Sequence, residues 1–131
     1  MTAKLQYAKV IDRELFHERG SKIHPGLDNK VLLKDDPGVS MAFLVLRGWS
    51  NDHGTFTEQW RIQGAGGGLV YESLPRELHL ATKTHVEKLE DEVIDIDFPY
   101  TSDDYVCVFL LDGDEVARTR FSVTVDGNHS G

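Results

Sequence analysis

Acidic side chains gather in four short stretches of the sequence that also have the composition of turns. These stretches hold Asp35 with Asp36, Asp95 with Asp97, Asp103 with Asp104, and the group Asp112, Asp114 and Glu115. Carboxylate oxygens that converge from several loops are the ligands that calcium takes in proteins. The helical calcium loop does not fit, because Val123 occupies the position of its closing glutamate. Solvated turn carboxylates are therefore the favoured interpretation, and a calcium- or small-ligand-binding module with acidic loops is an alternative.

Glu58 is a second candidate for chemistry, because it lies on the stripe of residues 55–62 that is predicted to face inward. Its neighbours on that stripe are apolar, so a carboxylate there needs a partner. We expect Arg61, Arg118 or Arg120 to provide that partner, or the side chain to lie near a rim. The alternative is a small hydrolase or isomerase in which the carboxylate of Glu58 lies in a cleft.

The other reactive residue types show no catalytic or metal-binding spacing. The histidines form no His-x-x-x-His pair, and the single cysteine, Cys107, lies on an apolar strand, where burial disfavours the reactive thiolate. A strand-like segment follows the glycine cluster Gly64–Gly68, so this cluster indicates a hairpin turn instead of a phosphate loop. No serine lies in a Gly-x-Ser-x-Gly elbow. We therefore expect no catalytic residue set, no bound cofactor and no metal.

The composition describes one soluble globular domain. The chain has 131 residues, with 14 Lys and Arg against 22 Asp and Glu, which gives a net charge of −8. Such a chain is repelled by phosphate backbones and by anionic lipid, so nucleic acid and membrane partners are not expected. No apolar run is long enough for a signal peptide or a membrane span, which predicts a cytoplasmic protein. We expect a single domain over residues 1–125 and a flexible tail over residues 126–131.

The elements that position these residues are mostly strands, because apolar and polar residues alternate with a period of two. Residues 5–16 predict an opening strand with a bulge, and residues 23–33 predict its return. Residues 41–47 are apolar on both faces, which is typical of a strand covered on both sides. Residues 55–62 alternate cleanly, and two short strands follow on either side of Pro75.

The second half of the chain contains one helical candidate and one clear hairpin. Thr84 and Glu87 have the spacing of a capping box, so Thr84–Glu92 is predicted to form a short helix. Residues 105–111 and 116–125 are apolar alternating segments around a tight turn at residues 112–115. This pattern predicts a β-hairpin.

Four residues give the chain a resemblance to the immunoglobulin-like β-sandwich. Tyr105 and Cys107 have the spacing of the tyrosine corner and the core cysteine of strand F in that fold. Trp60 follows Val45 as the strand C tryptophan follows the strand B cysteine, although valine at position 45 excludes the disulfide. The resemblance covers residues 41–125 and extends to small uncharacterised bacterial proteins of this type. It implies an all-β, two-sheet antiparallel sandwich with an N-terminal strand pair and at most one short helix.

The outward apolar side chains of two central strands carry the functional expectation. Both faces of a strand in a two-layer sandwich are apolar only when something covers the outer face. We expect the N-terminal strand pair or the helix near Val86 to cover one sheet, and a protein partner or a second copy of the chain to cover the other. The protein is therefore predicted to be a non-catalytic interaction module, with a homodimer as one form. The interface candidates are Leu44, Leu46, Val106, Val108 and Leu110.

Overall fold

The structure, a computed structural model, describes residues 3–126, and this part of the chain is mostly β. The prediction of a largely β fold with at most one short helix is confirmed within these residues. The helix has six residues, far fewer than a membrane-spanning helix needs. In chain order the elements are β1 (Lys4–Asp12), α1 (Arg13–Glu18), β2 (Lys30–Leu33), β3 (Gly38–Val39), β4 (Phe43–Ser50), β5 (Gly54–Gln63), β6 (Leu69–Glu72), β7 (Arg76–Leu80), β8 (Glu87–Val93), β9 (Asp97–Phe98), β10 (Ser102–Leu111) and β11 (Asp114–Val125).

The main sheet is mixed, so the prediction of a purely antiparallel arrangement is wrong. Its strand order is β6-β5-β10-β11-β2-β1-β4-β8, and β7 also pairs with β5. Strand β2 runs parallel to both β1 and β11, while the other pairs are antiparallel. The parallel pair forms because α1 and the segment after it bring the chain back beside the end of β1, where Lys30 pairs with Ile11, so that β2 runs on in the direction of β1. Parallel strands need such a crossover.

The two ends of the main sheet face each other across the core. Strands β4 and β5 are separated by four strands in the sheet order, yet Arg47 and Glu58 on these strands are hydrogen-bonded. The rings of Trp49 on β4 and Phe109 on β10 also meet edge to face, with centroids 6.5 Å apart. A flat sheet could not make these contacts, so the sheet curls over a buried core.

A smaller core lies outside the sheet, under α1. Phe16 of the helix and Leu27 of the following segment pack with Ile11, Leu44 and Leu46 on the outer face of β1 and β4. The helix starts where the Asp12 side chain accepts a hydrogen bond from the Leu15 amide at 3.2 Å, as a helix cap does. The helix therefore covers the outer face of this part of the sheet.

Three local predictions are wrong in whole or in part. The return strand predicted over residues 23–33 is reduced to Lys30–Leu33, and residues 23–29 before it are not strand. The segment Thr84–Glu92 is a loop followed by strand β8, because β8 pairs with β4 along its whole length, which outweighs the weak tendency of so short a segment to form a helix. The hydroxyl of Thr82, not Thr84, accepts the hydrogen bond from the His85 amide. The predicted opening strand over residues 5–16 has its bulge after Leu5, but its last third is α1.

The turn predictions are confirmed. The glycine cluster Gly64–Gly68 joins β5 to β6 through hydrogen bonds between its own backbone groups. The last two strands form the predicted hairpin, and Asp112 and Gly113 at its tip have φ values of +52° and +88°. The predicted tail begins at Asp126, whose amide donates to the Leu33 carbonyl at 2.8 Å, and residues 127–131 lie outside the described residues.

Candidate functional site

A buried ion pair joins strands β4 and β5 inside the main core. The Arg47 guanidinium donates from Nε and Nη2 to the two carboxylate oxygens of Glu58, at 2.7 and 2.6 Å. Trp49 Nε1 donates to the same carboxylate at 2.7 Å. Burial opposes the charge of Arg47, but its hydrogen bonds and ion pairs with Glu58 and Asp91 outweigh that effect and raise its pKa. Both charges are therefore well compensated inside the protein.

Asp91 extends this network towards the surface. It accepts a hydrogen bond from Trp60 Nε1 at 2.7 Å and forms ion pairs with Arg47 at 3.2 Å and Arg76 at 3.0 Å. Strand β8, which carries Asp91, and strand β7, which begins at Arg76, lie at opposite ends of the main sheet. Asp91 therefore joins the two ends of the curled sheet.

The network answers the question that the sequence left open about Glu58. Its carboxylate is paired, but with Arg47 instead of Arg61, Arg118 or Arg120, and its side chain is fully enclosed. Both of its oxygens are occupied by donors from the protein, so neither is available to a substrate in this arrangement. Sequence reasoning missed Arg47 because it ends a segment that is otherwise apolar.

The four residues of the immunoglobulin resemblance come together in the main core. Val45, Trp60, Tyr105 and Cys107 are all buried in one hydrophobic cluster. The Tyr105 hydroxyl donates to the Tyr100 carbonyl at 2.6 Å, and burial raises the pKa of this phenol to about 12. Burial likewise raises the pKa of the Cys107 thiol, which keeps it in the unreactive protonated form.

Four of the five interface candidates are buried by the chain itself. Leu44 and Leu46 lie under α1, so the N-terminal segment covers them as expected, although with a helix instead of a strand and without the segment near Val86. Val108 and Leu110 are 2% and 5% exposed. These two and the half-buried Val106 do not form a free apolar surface.

Long polar side chains flank the outer face of β10. Val108 lies between Arg61 on β5 and Arg118 on β11 in the strand register. Arg61 pairs with Glu72, and Arg118 pairs with Glu115, which also lowers the pKa of that carboxyl through its hydrogen bonds. The aliphatic parts of such side chains cover apolar neighbours while their charged ends stay in water.

The acidic turns make contacts within the chain. Asp95 pairs with Lys34 at 3.1 Å, and Asp36 accepts a hydrogen bond from the Thr101 hydroxyl at 3.2 Å. Asp112 accepts from the Thr57 amide at 2.8 Å, and Asp104 pairs with Arg120 at 3.6 Å. Across residues 3–126, no three His, Cys, Asp or Glu side chains are placed to share a metal ion.

An open groove of about 660 Å³ lies beside α1 on the outer face of β1, β4 and β8. Its apolar lining includes two side chains of the small core, Phe16 and Leu46, together with Tyr7 and the 38% exposed Ile23. The Tyr7 ring lies against Gly48, where a Cβ would approach it to 2.5 Å, so glycine at this position lets the ring pack on β4. Burial and the charge of Glu90 raise the pKa of Tyr7, while Arg47 opposes them.

The rim of this groove is positively charged in a chain that is strongly acidic overall. Lys22 and Lys88 line the groove together with one acidic residue, Glu90. Neither lysine forms an ion pair with another described residue, whereas every arginine of the chain does. The groove thus combines an apolar surface with two cations that have no partner between residues 3 and 126.

Comparison with known proteins supports the fold and leaves the activity open. No protein-family model matches the chain, and no curated protein shows significant similarity to it. One similar solved structure is the Pseudomonas fluorescens alkylpurine DNA glycosylase AlkC bound to DNA containing an abasic site analog. The two are 12% identical with a TM-score of 0.60, over 94% of this chain and 30% of the glycosylase chain. This chain therefore corresponds to less than a third of that protein, and the likeness concerns the fold alone.

Proposed function

We propose that the protein is an immunoglobulin-like sandwich that acts as a non-catalytic, cytoplasmic interaction module and binds a protein partner or a second copy of itself. The fold proposal is supported by the tyrosine corner at Tyr105 and by the shared burial of Val45, Trp60 and Cys107. The parallel pairing of β2 with β11 joins what would otherwise be two facing sheets into one curled sheet.

The groove beside α1 is the observation that carries the binding proposal. Protein interfaces have an apolar centre and a polar rim, and this groove has both. A partner packs an apolar side chain against Ile23 and the half-buried Tyr7, above the nearly enclosed Phe16 and Leu46 at the base of the groove, and its carboxylates lie against Lys22 and Lys88. Binding buries Ile23, which is exposed in the free chain.

Two other functions receive less support from the same residues. A hydrolase that uses Glu58 needs a free carboxylate, and this one is held by Arg47 and Trp49. The similar glycosylase structure contains DNA, but the net charge of −8 opposes a phosphate backbone, and nucleic acid is not part of the proposal.

Site-specific photo-cross-linking tests the proposal. A photo-reactive phenylalanine analogue placed at Ile23 is expected to form one defined adduct in the cells that produce the protein. The matched control carries the same analogue at Leu69, which is 60% exposed on β6, away from the groove. The adduct at position 23 is expected to disappear when Lys88→Glu reverses the charge of the rim, while the circular dichroism spectrum stays unchanged.

The products distinguish the two kinds of partner. An adduct with twice the mass of the chain identifies a second copy, and an adduct of another mass identifies a different protein, whose binding is then measured with the purified components. Adducts that form equally at positions 23 and 69, or no adduct at position 23, would contradict the proposal.

A further inference from the structure

A second cavity, of about 490 Å³, lies on the opposite side of α1 from the groove. Glu14 and Glu18, four residues apart on α1, share the helix face that lines this cleft. The ends of β2 and β11 provide apolar lining, including Leu32 and Val125. Asp12 and Asp126 bring the number of carboxylates in the lining to four, against one lysine, Lys30. The lining is therefore acidic, although Glu14 is also paired with Arg13 at 3.4 Å and Asp126 makes contacts of its own.

Asp12 is the residue that distinguishes this cleft from an ordinary acidic surface. Its side chain is buried, with the residue only 2% exposed, and one carboxylate oxygen accepts the hydrogen bond from the Leu15 amide. The other oxygen, Oδ1, has no hydrogen-bond partner within residues 3–126. No ion pair joins Asp12 to Lys30, although both residues line the cleft. Buried carboxylates are almost always paired, so the described part of the chain leaves this charge half compensated.

The pKa of Asp12 agrees with an incompletely compensated charge. Burial raises the pKa of Asp12, and the charges of Asp126 and Glu14 raise it further, while hydrogen bonds from backbone amides oppose the shift. A positive charge placed in the cleft would act in the direction opposite to burial and to the neighbouring carboxylates. The site as it stands therefore favours a cation.

We propose that this cleft binds an organic cation, namely an alkylammonium or alkylguanidinium group. The exposed carboxylates of Glu14 and Glu18 accept hydrogen bonds from the N–H groups of the cation, and the enclosed charge of Asp12 attracts it from below. The alkyl stem packs against Leu32 and Val125. A metal ion is disfavoured because no three acidic or histidine side chains among residues 3–126 are placed to share one. This proposal does not depend on the partner-binding groove.

Titration followed by amide NMR tests the cation site at constant ionic strength. The probes are n-butylguanidinium chloride and the blocked peptide acetyl-Gly-Arg-Gly-amide, and the neutral control is n-butanol. Both cations are expected to give saturable shifts of the amides in residues 12–18, 30–32 and 124–126, whereas butanol gives none. Tighter binding of the peptide assigns the site to an arginine side chain of a protein, and tighter binding of the small cation assigns it to a free ligand.

Substitution of single carboxylates tests which side chains of the cleft bind the cation. Glu18→Gln and Asp12→Asn are each expected to weaken n-butylguanidinium binding about threefold, the size of a single charge contact with a cation that remains partly in water. The matched control is Glu77→Gln on β7, an exposed residue outside the cleft, which should leave binding unchanged. Unchanged spectra away from the cleft establish that each variant is folded. Shifts that do not saturate, an equal response to butanol, or saturable binding of calcium chloride at the same amides would overturn the proposal.

Discussion

Glu58 and Asp12 are both buried carboxylates, but the protein treats them differently. Glu58 is held by two guanidinium hydrogen bonds and an indole N–H at the centre of the core. Asp12 accepts backbone hydrogen bonding on Oδ2 alone, and its Oδ1 has no partner in residues 3–126 and lies next to other acidic side chains. A buried carboxylate therefore does not by itself mark a site. The charge of Glu58 is neutralised within the core, so this residue stabilises the fold. The charge of Asp12 is only partly neutralised, so this residue can respond to a ligand.

The largest expected effect is the loss of the Glu58 charge. Glu58→Gln keeps the shape of the side chain but leaves the buried Arg47 cation with Asp91 as its one charged partner among residues 3–126. Breaking a buried pair costs about 3–5 kcal/mol, and we expect a value near the lower end because Asp91 remains. Urea denaturation measures this loss, and Glu77→Gln, on the surface, is the control, with a change within about 0.5 kcal/mol.

The double variant Arg47→Met with Glu58→Leu sharpens the result. Removing both charges together avoids an uncompensated ion, so the double variant should be destabilised much less than the sum of the losses in the two single variants. The expected difference, which is the coupling energy of the two residues, is about 0.5–3 kcal/mol. Trp49 Nε1 and Asp91 each lose a partner, so some destabilisation remains. Additive losses in the double-mutant cycle would show that the two charges do not act as a unit.

The sequence predicts this region only in part. The alternation in residues 55–62 correctly places Glu58 on an inward stripe, because a period of two is a local property of a strand. Its partner lies on β4, which is not adjacent to β5 in the sheet. That contact depends on how the sheet curls, and no spacing within the sequence encodes it.

The two candidate sites illustrate the same limit. The groove combines Tyr7, Lys22, Leu46 and Lys88, and the cleft combines residues from α1, β2 and β11, so neither has a motif. Their common element is α1, and the sequence pattern predicts a strand for its first four residues. Asp12 followed by Glu14 and Leu15 is compatible with a helix cap, but the alternation before it favours a strand.

A smaller effect separates the roles of Asp12. Asp12→Ala removes the side chain that caps α1 and is expected to lower the free energy of unfolding by about 1 kcal/mol. Asp12→Asn keeps an oxygen for the Leu15 amide and removes the charge, so at neutral pH it should be as stable as the wild type or slightly more stable. Thermal and urea denaturation compare the two variants. Equal losses in both would mean that the charge of Asp12 is compensated after all.

The smallest effect is a pH dependence that Asp12 has and Asp12→Asn lacks. Because burial raises the pKa of Asp12 in the folded protein, the folded state binds its proton more tightly than the unfolded state does. The resulting stabilisation is fully present below the unfolded pKa and is lost as the pH rises through the folded pKa. The wild type minus Asp12→Asn difference in unfolding free energy should therefore become less favourable from acidic to neutral pH. A saturating organic cation in the cleft should reduce this trend, whereas a difference that grows with pH would show that Asp12 is stabilised as the anion.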